Sequence, residues 1–132
     1  MKYKTEQQFV KEHQLHQACF LWFDKHFGVQ YRGTLILNHN NAKDKAEQIR
    51  LRGLGLRKGH PDLSLLIPSF GKTALHIELK VGTNTTSDAQ KKQHQVLASF
   101  GAKVVVINSL KEFQEVTSNW IEGFVFEKFN IE

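Results

Sequence analysis

Residues 60–80 read HPDLSLLIPSFGKTALHIELK, and the way this stretch folds back on itself decides the rest. In a strand over 62–67, Leu63, Leu65 and Ile67 share one face; in a strand over 73–81, Thr73, Leu75, Ile77, Leu79 and Val81 do. The intervening PSFGK, 68–72, holds the proline and glycine that turn a chain. A turn symmetric about Phe70 pairs Ile67 with Thr73, Leu65 with Leu75 and Leu63 with Ile77, which builds one continuous apolar surface. The same register sets Asp62 opposite Glu78 on the other face, with Lys80 two residues further along it. Directly opposed side chains in an antiparallel pair have Cβ atoms about 5 Å apart, where like charges repel. The pair is costly unless something positive sits between the carboxylates. A hard divalent cation with oxygen ligands, Mg²⁺ or Mn²⁺, turns the repulsion into binding. A slip of one residue would send Asp62 to the apolar side, so the register carries the inference.

Each piece also has a plainer reading. A strand face bearing Glu and Lys is ordinary surface, and Pro61-Asp62 is ordinary turn chemistry. The conjunction is less ordinary: acid, hairpin, acid, one apolar residue, lysine, and just before them a basic segment. Between Asn40 and Gly59 stand Lys43, Lys45, Arg50, Arg52, Arg57 and Lys58 against Asp44 and Glu47. They read either as a solvated helix and loop or as a stripe that grips phosphates.

Working outward, Leu15, Ala18, Cys19, Trp22, Phe23 and His26 recur at the spacing of one helical face, predicting a helix from about Thr5 to Phe27. Thr5 and Gln8 would cap it, or it starts as late as Lys11. The stripe extended backwards reaches Glu12, an acid aimed at the core side. Thr34 to Leu37 reads as a short strand and Ala42 to about Arg52 as a basic helix, followed by a loop with glycines at 53, 55 and 59. After the hairpin, Ser87 and Gln90 form a second capping box for a helix with an apolar face of Val96, Leu97 and Phe100, stopped by Gly101. AKVVVIN, 102–108, reads as a buried strand, and Leu110 to about Ile121 as a closing helix. The order is helix, strand, helix, hairpin, helix, strand, helix, a mixed α/β pattern.

The 132 residues, 40% of them hydrophobic, suit one domain over 1–132. A single cysteine, Cys19, rules out an internal disulfide, and no run is apolar enough for a membrane span or secretory signal. A cytosolic protein without a membrane partner is expected. The formal charge of +5 favours a polyanionic partner modestly.

HPDL followed by IELK resembles the signature of the PD-(D/E)XK nuclease superfamily. RKGHPDLSLLIP (57–68), ALHIELKVGTNTTSDAQKKQHQVLASFGAKVVVI (74–107) and KEHQLHQACFLWF (11–23) are similar to its VRR-NUC family, small nucleases that stand alone in phages and bacteria or are fused within larger repair proteins. The likeness runs from about Glu12 to Trp120. It implies a restriction-endonuclease-like α/β core, a mixed central β-sheet flanked by α-helices, and a Mg²⁺-dependent phosphodiesterase. Carried onto this chain, it makes Asp62, Glu78 and the backbone carbonyl of Leu79 metal ligands. Glu12 adds a further carboxylate, directly or through water. Lys80 positions or activates the attacking water, and Gln90 supports the site from the following helix. Stand-alone members act as homodimers on branched DNA such as Holliday junctions, in a bacterial or phage-infected cell. His60 departs from the small or branched apolar residue usual before Pro61. Asn40 and Asn41 replace glycines, which leaves any part for Asn38 or His39 open.

Without the family, Glu12 reads equally as a solvated helix charge and Gln90 as a cap. His13 and His16 lack the partners a zinc site needs. His76 and His94 could approach the site or lie on the surface, and Phe20, Trp22 and Phe23 read as core. Against the endonuclease stands a different class, a domain that binds nucleic acid without cutting it.

Overall fold

The computed structural model describes residues 9, 11–38 and 43–129. The cap expected at Thr5 and Gln8 lies outside the described residues, as do His39, Asn40 and Asn41. The elements are α1 (Glu12–Tyr31), β1 (Leu35–Leu37), α2 (Lys45–Gly53), β2 (Leu63–Leu65), β3 (Leu75–Leu79), α3 (Asp88–Ser99), β4 (Lys103–Ile107) and α4 (Leu110–Phe129). Their order is the expected one. Strands β1 to β4 lie side by side in chain order, antiparallel except for the parallel pair β3–β4. The crossover that a parallel pair requires is α3.

The register of the hairpin is the one the apolar pattern demands: Leu63 faces Ile77 and Leu65 faces Leu75. The turn is not the five-residue one. Ser69 and Lys72 bridge across a two-residue turn, with Phe70 at φ 52° and Gly71 at φ 74°. Two positive φ values are what a hairpin turn matched to strand twist needs. From the Leu65–Leu75 pair to this bridge the first arm advances four residues and the second three. The arm through Leu66, Ile67 and Pro68 therefore absorbs one extra residue, and Pro68 has no N–H to lose from a ladder.

Leu63, Leu65, Leu75, Ile77 and Leu79 are buried from the sheet side against Leu15, Cys19 and Phe23 of α1 and Phe113, Trp120 and Ile121 of α4. Each such side chain contributes about 1.5–3 kcal/mol. Two bonds clasp α4 to the hairpin: the Trp120 indole N–H donates to the Ile67 carbonyl and the Ser69 hydroxyl to the Trp120 carbonyl, each at 2.7 Å.

Several expectations need correction. Helix α1 has the late start, capped at Lys11, but runs beyond Phe27 to Tyr31, with His26 and Phe20 exposed, because its fully buried stripe is Leu15, Cys19 and Phe23. Helix α4 continues to Phe129, well past Ile121. Val96 and Phe100 are 50% and 84% exposed. Helix α3 instead turns Gln93 and His94 to the sheet, whose face there is polar. Strand β4 is an edge, half-covered, with Val106 exposed. Its β-branched run reflects strand propensity, which an edge satisfies as well as a centre.

Candidate active site

The face of the hairpin turned away from the core is where the charged residues meet. Asp62 lies one residue before β2. Its carbonyl accepts from the Asn38 N–H at 2.9 Å, which prolongs the β1–β2 ladder, and its Oδ2 accepts from the Leu79 N–H at 2.7 Å. The Asn38 side chain donates to the Pro61 carbonyl at 2.9 Å and to Ser64 Oγ at 2.8 Å. Asn38 is therefore a clamp on the Pro61-Asp62 turn. Ser64 Oγ in turn meets His76 Nδ1 at 2.7 Å, and the His76 ring stands against that of His60.

Glu78, in the middle strand, is 2% exposed. Burial first, then a hydrogen bond with Asp62 and the charges of Asp62 and Glu12, push its carboxyl up to about 9; Lys80 acts the other way. The opposed acids thus meet as the register requires, and without a cation Glu78 keeps a proton. Its Oε1 is buried, hydrogen-bonded to no described group, and 3.5 Å from His94 Nε2, which is in the same condition.

A cavity of about 240 Å³ opens here. Its lining includes the acids Glu12, Asp62 and Glu78, the bases Arg52, Arg57 and Lys58, and the amides of Gln48 and Gln90. Glu12 begins α1 and accepts from the Asn84 amide at 3.4 Å. Gln90 is the capping residue of α3 as expected, its Oε1 taking the Ser87 N–H at 2.8 Å. Its amide nitrogen remains to serve the cavity. Lys80 is not among the lining residues, yet its charge acts on both Glu78 and His94. Of the basic stripe, Lys43, Lys45 and Arg50 are exposed and line no part of this cavity. Gln48 and Arg52 are four apart on α2 and share its cavity side, while Arg50, between them, points elsewhere.

Two further side chains reach the site: His94, whose approach the sequence left open, and His16, which it did not assign there. His94 is four residues after Gln90 on α3, the spacing of one face, which is a usable signal once Gln90 is placed. His16, four after Glu12 on α1, lies within reach of the Asp62 charge; burial lowers its pKa and Asp62 partly opposes this.

Among the described residues no three His, Cys, Asp or Glu side chains converge tightly enough to enclose a metal by themselves. The donor chemistry nonetheless fits a hard ion. Mg²⁺ keeps several waters and is typically held by one or two carboxylates, and here two meet, one of them with an oxygen that no hydrogen bond satisfies.

Two carboxylates thus meet at the mouth of the hairpin, a lysine follows them in the chain, and guanidinium groups line the same cavity. The VRR-NUC domain profile matches residues 2–111, and the chain belongs to that family. A solved VRR_NUC domain protein shares the fold at a TM-score of 0.73 and 22% identity, over 89% of this chain and 93% of its own. No curated protein matches closely enough to count as a relative. Membership implies a nuclease-type function with DNA as substrate. Among the described residues, no helix is long and apolar enough to cross a membrane.

Proposed function

We propose that the chain is a Mg²⁺-dependent endonuclease that hydrolyses DNA phosphodiester bonds, with Mn²⁺ able to substitute. It selects branched DNA such as Holliday junctions and works as a homodimer in the cytoplasm of a bacterium or phage-infected cell. The observation that supports this best is the meeting of Asp62 and Glu78 in a cavity that Arg52, Arg57 and Lys58 also line.

Asp62, Glu78 and the Leu79 carbonyl hold the ion, with Glu12 reaching it directly or through water. When bound, the ion acidifies a water and polarises a phosphoryl oxygen. Arg52, Arg57 and Lys58 neutralise the phosphates on either side of the scissile bond and fix the strand across the cavity. Lys80, with rotating donors, orients the attacking water and balances charge growing on the phosphate. Gln90 presents its amide to the same space. Two-fold assembly, the commonest oligomer, offers two equivalent sites to the symmetric strands of a junction.

The test is cleavage of labelled junction, flap, linear duplex and single-stranded DNA with Mg²⁺ or EDTA, by the natural chain and Asp62→Ala. Junction cutting that needs both Mg²⁺ and Asp62 is expected. Cutting that survives EDTA and the substitution would sink the metal mechanism, and tight binding with no cutting would favour a catalytically silent binding domain.

A further inference from the structure

A second cavity, of about 450 Å³, adjoins the first and shares Leu56 and Arg57 with it. Leu37, Leu51 and Leu54 complete its apolar walls, and Asn38, His60 and Gln93 supply polar groups. Burial does not account for the two outer leucines: Leu37 and Leu54 are 63% and 74% exposed. The polar groups are held in place. The Asn38 amide nitrogen is committed to Pro61 and Ser64, so its Oδ1 is the atom left to accept. Gln93 Nε2 lies 3.4 Å from His60 Nδ1.

We propose that this cavity receives one unpaired nucleobase, from the nucleotide next to the phosphate held in the acidic cavity; the inference rests on the nuclease reading. The leucine side chains offer apolar contact to a base. Asn38 and Gln93 meet its hydrogen-bonding edge. Arg57, common to both cavities, reaches the phosphate that joins the seated base to the scissile bond. Apolar walls accept any base, so whatever preference the pocket has comes from Asn38 and Gln93. A base inside a duplex would have to leave its stack at a cost of a few kcal/mol, whereas one in a flap or gap enters without it and a paired base at a junction branch point, where stacking is interrupted, enters at reduced cost. Selection of branched DNA then follows from a pocket that reads unpairedness.

The experiment uses DNA carrying 2-aminopurine at a junction branch point, in a single strand, or within a duplex. The full chain binds it with Ca²⁺ in place of Mg²⁺, so that binding is read without cutting. A several-fold fluorescence change is expected at unpaired positions and none inside duplex. The double variant Leu37→Ser, Leu54→Ser should lose that change and bind unpaired DNA about tenfold more weakly, as apolar contact with the base is removed. Leu54→Trp, which fills the cavity while keeping apolar surface, should do the same, and thermal melting identifies any variant that fails to fold. Identical signals from the natural chain and both variants, or equal affinity for duplex and unpaired DNA, would overturn the pocket. A base-dependent signal from a protein that never cuts DNA would keep the pocket and remove the nuclease reading; cutting without the signal would do the reverse.

Discussion

Glu78 carries the tension of the site in one side chain. It is buried, faces a second carboxylate, and has an oxygen that nothing described satisfies except a histidine nitrogen at 3.5 Å. Glu78→Gln keeps the shape and removes the charge. The variant should melt a few degrees higher than the natural chain in EDTA at pH above neutral, where the natural carboxyl resists ionising, and should lose both its stabilisation by Mg²⁺ and its cutting of DNA. Thermal melts with and without Mg²⁺, beside the cleavage assay, check all three; a variant that Mg²⁺ still stabilises would clear Glu78 of ion binding. His94 is expected to orient Glu78 by donating from Nε2 as a neutral imidazole, in keeping with a pKa lowered chiefly by burial and next by Lys80. Partners of this kind are worth about tenfold or more in metal affinity. His94→Ala should weaken Mn²⁺ binding by that amount in calorimetry and His94→Gln should recover part of it, whereas a histidine that only packs would change melting temperature and leave the affinity alone. Alternation along HIELK was enough to place Glu78 opposite Asp62. It left the parts of His94 and Asn38 open, since they depend on how a helix and an edge strand pack over the hairpin, and spacing within one element carries no record of that.

The elements around the site divide into those whose pattern determines them and those that need a partner to make sense. The hairpin register was legible because a one-residue slip would turn one strand's whole apolar set away from the core, and the offset near the turn did not disturb it. Helix α3 was placed by its capping box and by Gly101, but its buried side was misjudged, because a helix over a polar sheet face inverts the usual rule that apolar residues point inward. The loop from 54 to 59 shows the same dependence on a partner. Gly55 and Gly59 both have positive φ, 109° and 83°. A Cβ on Gly55 meets open space, while one on Gly59 comes 2.4 Å from the Ala89 carbonyl oxygen and 2.7 Å from the Gln90 nitrogen. Gly55→Ala should therefore cost only the backbone strain, about 1–2 kcal/mol. Gly59→Ala must also push the loop off α3, and should cost about 3 kcal/mol or more and displace Lys58 from the cavity. Denaturant titrations of both variants check the ordering; equal losses would mean that the loop does not lean on α3.

At the scale of the whole molecule, the acidic cavity makes the fold's stability a function of pH, and the proposed ion would make it a function of divalent cations too. In the metal-free protein the Glu78 carboxyl titrates at about 9 against an ordinary 4.5, so between these values the folded chain holds a proton that the unfolded chain has released. Stability from this group is complete below about pH 4.5, declines as pH rises, and is gone above about 9, at no more than about 1.4 kcal/mol per pH unit for one proton. His16, His60, His76 and His94 run the opposite way. Burial is the largest cause of a lowered pKa in each, so below 6.5 the unfolded chain binds more protons and stability climbs as pH rises. Together these give a metal-free protein most stable near neutrality, weaker in acid because the histidines must charge and weaker in alkali because Glu78 must ionise. An ion held by Asp62 and Glu78 takes the place of the proton. With Mg²⁺ or Mn²⁺ in excess the alkaline decline should vanish and the acid limb remain, so that the gain from the ion grows steadily from about pH 6 to pH 9. Melting temperatures across that range, in EDTA and in excess Mg²⁺, measure it without any DNA present. A Mg²⁺ effect that is the same at every pH would place the ion somewhere other than on the carboxyl group of Glu78.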